Sequence, residues 1–188
     1  MKFTAQEEYG LRCILSLARL ACGRSAGAGP AERPAASLTV SEVAEVEGLS
    51  EQYAGKLFRI LAKGGLVEAV RGRGGGYRLS RPPEQIHVAE ALAALGGKFY
   101  DGSLCDRFKG NRRFCVHTND CSIRSLWAGI QLMIDQVLSR TTLRDLVTSE
   151  TTMAQWLEPH VDVLRGPERR ISPARASARP EKTQEPSR

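Results

Sequence analysis

Between residues 39 and 65 two capped helices meet at a glycine, and that junction limits the possible folds more than any other stretch of the chain. Thr39 and Glu42 have capping-box spacing and open a short helix in VSEVAEVE, which Gly48 closes. Ser50 caps the next helix, EQYAGKLFRILAK, which runs out at Gly64 and Gly65. Two helices joined by so few residues form a helix-turn-helix pair. In the second helix Ala54, Leu57, Phe58 and Leu61 recur at helical spacing and predict the buried stripe, with Gln52, Tyr53, Lys56, Arg59 and Lys63 largely on other faces. LVEAV and YRLS then read as strands flanking the tight basic turn RGRGGG. A hairpin directly after a helix-turn-helix is a wing. The expected class is mainly α with a small β-wing, a winged helix-turn-helix.

Thr4 and Glu7 repeat the capping-box spacing ahead of a first helix whose apolar face is Leu11, Ile14, Leu15, Leu17 and Ala18, ending near Cys22 and Gly23. Residues 23–37, rich in Gly, Ala and Pro, predict a flexible connection. Past Pro82 and Pro83, VAEALAALGG predicts a short helix. From Ile123 the apolar residues Leu126, Trp127, Ile130, Met133, Ile134, Val137 and Leu138 recur every three or four positions. They make a seam about four turns long. A small domain has little of its own to cover such a seam, so this is expected to be a dimerisation helix. TTLRDLV and TTMAQWLEP suggest further short helices. The expected organisation is a DNA-binding domain over 1–97, a cysteine loop over 98–121, a dimerisation helix with short helices over 122–160, and a disordered basic tail over 165–188.

The formal net charge is +6, but the segment from Arg165 onward contributes +4 of it. Overall charge is therefore weak evidence for an anionic partner, and local patches must carry that case. No apolar run is long enough to span a membrane, and the N-terminus lacks a signal pattern, so a cytoplasmic protein is expected. An odd count of five cysteines argues against a disulfide framework and for metal or redox chemistry. No Cys-x2-Cys pair, nucleotide-binding glycine fingerprint or catalytic triad points to an enzyme or a small-molecule substrate.

The second helix of a helix-turn-helix enters the major groove. Ser50, Gln52, Tyr53, Lys56 and Arg59 supply the hydroxyl, amide and cationic groups that read bases and neutralise phosphate. Arg71 and Arg73 in the glycine-rich wing add two cations able to approach a backbone closely. Further along, Cys105, Cys115 and Cys121 share one polar loop with spacing Cys-x9-Cys-x5-Cys. Three thiolates and one further ligand hold an iron–sulfur cluster. With His117 they would instead complete a Cys3His zinc set, and as unmetallated thiols they would be redox-sensing or incidental. Arg107, Lys109, Arg112, Arg113 and Arg124 provide positive charge that favours an anionic thiolate–metal centre. Structural zinc usually shows cysteines closer together than these, which tilts the balance toward a cluster. Cys13, one position off the Leu11 stripe, is expected to pack in the core.

The opening MKFTAQEEYGLRCILSLA, the segment LSEQYAGKLFRILAKGGLVEAVRGRGGGYRLSRPPEQIHVAEALAALGG and the loop running into CSIRSLW resemble the Rrf-two-type winged-helix regulators over about residues 1–145. The resemblance implies a homodimeric transcription regulator, a repressor, that binds palindromic double-stranded promoter DNA and senses redox, nitric oxide or iron status. It implies a 2Fe–2S or 4Fe–4S cluster held by Cys105, Cys115 and Cys121, with Glu8 of the other subunit as a fourth ligand. In one branch of that group a histidine follows the third cysteine by three residues; here Arg124 stands there, and the first cysteine spacing is longer than usual. Glu8 and His117 therefore compete as fourth ligand. The alternative is the same fold with zinc or no metal, acting as a thiol-redox or constitutive repressor.

Overall fold

A computed structural model of the chain describes residues 3–25, 37–72 and 75–165. Most of the glycine-rich connection, Arg73 of the wing and the tail from residue 166 lie outside the described residues. The first helix, α1 (Ala5–Ser25), starts as expected: the Thr4 amide donates to Glu7 Oε2 at 2.7 Å, and the Thr4 hydroxyl accepts from the Glu7 amide at 3.2 Å. It runs two residues past Gly23. Ile14, Leu17 and Ala18 are buried, while Leu11 and Leu15 pack at the edge of the core.

The helix-turn-helix follows, α2 (Val40–Glu47) and α3 (Glu51–Lys63). Thr39 and Glu42 close a full capping box, and Gly48 ends α2 at φ +67°, a left-handed conformation that suits glycine. Ser50 Oγ accepts the Tyr53 amide at 3.2 Å and so starts α3. Ala54, Leu57, Phe58 and Leu61 are fully buried, as the helical spacing predicts. Strands β1 (Val67–Val70) and β2 (Gly76–Leu79) pair antiparallel, with Val67 opposite Leu79 and Val70 opposite Gly76. Leu38, just before α2, exchanges both backbone hydrogen bonds with Tyr77, at 3.0 and 2.8 Å, and adds a short third rung to the hairpin. The Tyr77 ring stacks on Phe58 at 4.6 Å, so wing and recognition helix share one aromatic contact.

A 3-10 turn at Pro83–Gln85 leads into α4 (Val88–Leu95), which Gly96 terminates. After the one-turn α5 (Leu104–Arg107) comes α6 (Ser122–Leu138), then α7 (Leu143–Leu146) and α8 (Glu150–Arg165). The last helix is longer than the sequence pattern suggests and carries Pro159 within it. Proline removes one donor from the ladder without ending the helix here. The C-terminal end of α6 is stitched to the start of α4 by backbone: Val88 N–H donates to Thr141 C=O and Leu143 N–H to Ile86 C=O, both at 2.9 Å. The α6 seam is only partly covered, with Ile123, Leu126 and Met133 exposed. Among the described residues no helix is long and apolar enough to cross a membrane.

A Cβ added at Gly76 would lie 2.1 Å from the Leu38 carbonyl oxygen, a backbone atom held by the third rung. Gly76→Ala is expected to lower unfolding free energy in urea titrations by about 1–3 kcal/mol, the usual range for overpacking. Gly23→Ala, with open space around it inside α1, is the control and should stabilise by about 0.5–1 kcal/mol.

Candidate nucleic-acid interface and cysteine loop

The exposed face of α3 is set by its buried one. Gln52, Lys56 and Arg59 point away from the core stripe and are exposed, as are Ser50 at the helix start and Arg71 in the wing. Ser50 has a second duty, because its oxygen already caps α3; its hydroxyl proton remains available to a phosphate or base. Tyr53 departs from the helical-spacing expectation. It is half-buried, its ring edge-on to Tyr9 of α1 at 6.1 Å, so only part of it faces outward. The exposed face of α3 and the wing thus present cations, an amide and hydroxyls. That is the chemistry of phosphate neutralisation and base-edge contact.

The cysteine loop is anchored to α6 at both ends. At its start Phe99 packs edge-on to Trp127 at 5.8 Å, and the Tyr100 amide donates to Gln131 Oε1 at 2.7 Å. Gln131 is buried and passes the polar chain on through its own amide to Asp135 Oδ1 at 2.8 Å. At its end Cys121 is the N-cap of α6, its sulfur accepting from the Arg124 amide at 3.4 Å. The Arg124 guanidinium donates to Thr118 C=O at 3.1 Å, so this arginine ties the loop to the helix. Near the front of the loop the Ser103 hydroxyl and amide both donate to Asp101, which holds that carboxyl below the usual range, with Arg107 assisting.

Cys105, Cys115 and Cys121 are all free and half-buried on this loop, a soft donor set that suits iron–sulfur or zinc ligation. Within one chain they are not gathered. Among the described residues no three His, Cys, Asp or Glu side chains lie close enough to hold a metal ion. Glu8 and His117 are exposed. The loop also exposes Phe108, Phe114 and Val116. Cys13 sits in the core, where burial pushes its thiol up to about 11.

The chain matches the Rrf2 family, described as iron-dependent transcriptional regulators, over residues 3–149. It belongs to the Rrf2 family. The HTH-type transcriptional regulator NsrR of Bacillus subtilis is 30% identical over 158 residues, which cover 84% of this chain and 98% of that protein. Among solved structures, IscR of T. potens superimposes with a TM-score of 0.54 at 29% identity, covering 78% of this chain and 86% of that one. CymR of B. subtilis, the global cysteine regulator, gives 0.57 at 27% identity, covering 78% and 96%. The protein is thus a winged-helix transcriptional regulator, as the resemblance implied.

One buried group in this Rrf2 regulator carries only a faint signal in the sequence pattern. Glu47, the last residue of α2, is buried and receives hydrogen bonds from Arg12 and Ser16 of α1. Arg12 and Ser16, one turn apart among the apolar residues between Leu11 and Ala18, were the hint available. Hydrogen bonding to Glu47 chiefly raises the Arg12 guanidinium above its usual value, and the charges of Glu47 and Glu8 add to it.

The thiols should separate by reactivity. In reduced, metal-free protein at neutral pH, iodoacetamide is expected to alkylate Cys105, Cys115 and Cys121, while Cys13 reacts only after denaturation. Peptide mass spectrometry reads the difference. Labelling of native Cys13 as fast as the loop would contradict its buried, protonated state.

Proposed function

We propose that this Rrf2-family regulator works as a homodimeric repressor. On this proposal α3 and the wing bind double-stranded promoter DNA, and Cys105, Cys115 and Cys121 hold an iron–sulfur cluster through which the protein answers redox, nitric oxide or iron status. The observation that carries it is the placement of three free, half-buried thiols on a loop whose last cysteine caps α6. The family description as iron-dependent supports the choice of metal. A bound cluster supplies the redox chemistry of thiolate-held iron, tuned by nearby charge and solvent exposure. The chain itself supplies three thiolates and a basic loop, and couples both to α6 through Phe99, Tyr100 and Arg124. Glu8 from a second subunit and His117 are the candidates for the fourth ligand.

Dimerisation is supported by the uncovered seam. Ile123, Leu126 and Met133 of the seam are 60%, 55% and 46% exposed, and Leu132 beside it is 60% exposed, more large apolar surface than a lone soluble helix usually shows. A groove of about 870 Å³ adjoins it, running between the start of α1, α4 and the later turns of α6 and lined by Phe3, Leu92, Phe99 and Leu132 among others. On DNA, Ser50, Gln52, Tyr53, Lys56 and Arg59 would meet the major groove, with Arg71 and Arg73 at the flanking backbone.

Two measurements test these assignments. Protein purified without oxygen is expected to show visible absorbance with acid-labile sulfide, and Cys105→Ala to lose both; zinc without sulfide would favour a Cys3His site using His117. If Cys105→Ala binds promoter DNA as wild type does under every redox condition, the sensing role is wrong. For the DNA face, Lys56→Ala should weaken binding to all duplexes and lower the slope of log K against log salt by about 1, the mark of one lost phosphate contact. An unchanged slope would remove Lys56 from the interface.

A further inference from the structure

The junction of α1 with the helix-turn-helix holds a polar group that the DNA-facing residues do not use. Glu47 sits where α2 ends and the turn begins, its side chain only 7% exposed. Its Oε2 accepts from Arg12 Nε at 2.8 Å, its Oε1 from the Ser16 hydroxyl at 2.6 Å, and its backbone carbonyl from Arg12 Nη2 at 3.1 Å. The same guanidinium lies over the Tyr9 ring, 5.3 Å from its centre, and Tyr9 meets Tyr53 on the first turn of α3 edge-on. Residues 9, 12 and 16 form one stripe along α1. That stripe grips both sides of the turn, the end of α2 through Glu47 and the start of α3 through Tyr53.

We infer that Glu47 and Arg12 are positioning residues for DNA recognition: their ion pair fixes the turn between α2 and α3 and thereby the pose of Ser50, Gln52 and Tyr53. The inference rests on the proposed DNA-binding role. The Arg12 side chain is 41% exposed and only the carboxylate is buried; such a pair contributes little net stability, because solvent screens the cation and desolvation of the carboxylate offsets the attraction. What it supplies is direction. A carboxylate that accepts from two donors and a fork-shaped guanidinium have few mutually satisfied arrangements, whereas an apolar contact tolerates rotation and sliding. Base-edge contacts need that directional control. Phosphate contacts, which are point-charge attractions, need it far less.

The two kinds of contact make the inference testable on the full-length dimer. Wild-type protein selects duplexes from a random-sequence library, and affinities for the enriched duplex and for poly(dI-dC) are then measured alongside thermal unfolding. Glu47→Gln and Arg12→Lys are expected to reduce the ratio of specific to nonspecific affinity about tenfold, equivalent to about 1.4 kcal/mol. Nonspecific affinity should stay at the wild-type value. Combining the two substitutions should lose no more than the worse single one, since both break one pair. The deciding variant joins Arg12→Met with Glu47→Leu, which keeps volume and removes the charges. It should unfold at the wild-type temperature yet show the same loss of ratio. The inference is overturned if that variant keeps the wild-type ratio, or if it fails to fold, which would make the pair structural only. It is also overturned if specific and nonspecific affinity fall together in step with the unfolding temperature. Should wild type enrich no sequence at all, the DNA-binding role falls and takes the inference with it, a result distinct from equal binding by wild type and variant.

Discussion

Phe58 holds the winged helix together. Its ring has no solvent exposure and stacks on Tyr77 at an interplanar angle of 7°, which fastens the hairpin to α3. Ala54, Leu57 and Leu61 extend the same stripe, and Ile14, Val67, Ala91 and Leu95 bring α1, the first strand and α4 onto it. A helix with a stripe at that spacing must turn its remaining side chains outward. Core formation and presentation of Gln52, Lys56 and Arg59 are therefore one event. A substitution that rotates the stripe also rotates the groups available to DNA.

Much of this was legible in the sequence, because the chemistry is local. Thr39, Glu42, Gly48 and Ser50 act on neighbours within one helical turn, and their spacing alone specifies where α2 ends and α3 begins. The buried stripe of α3 is likewise a matter of period. Contacts across distance were not legible. Helical spacing puts Tyr53 on an outer face, yet Tyr9, more than forty residues earlier, covers part of it. Glu47 looks like one more solvated carboxylate at a helix end until α1 is laid against it. The shared loop of Cys105, Cys115 and Cys121 could be read off the sequence. Their assembly could not, since the groups that would draw them together are not neighbours in sequence, and Glu8 would come from a second chain.

Arg124 shows how one position sets what a loop can offer. An imidazole there would offer a nitrogen to a metal. The guanidinium can only donate, and it does so to the Thr118 carbonyl, while the Arg124 backbone amide donates to Cys121 sulfur. One residue therefore braces the last turn of the loop from two directions. Cys121 is held at the start of α6, and the side chain that braces it has no lone pair to give a metal.

The two ends of α6 are held by different kinds of contact. At its C-terminal end Val88–Thr141 and Leu143–Ile86 backbone hydrogen bonds attach it to the start of α4, and α4 packs on α1 and α3. At its N-terminal end the cysteine loop is the attachment, and Ile123 and Leu126 are bare. Backbone bonds in a partly buried setting resist displacement, whereas an exposed apolar face gains only when something covers it. A change in the loop therefore acts on the free end of a stiff rod whose other end is tied to the DNA-reading module. On the sensing role proposed for Cys105, Cys115 and Cys121, that asymmetry would place the lever arm on the side of the cysteines.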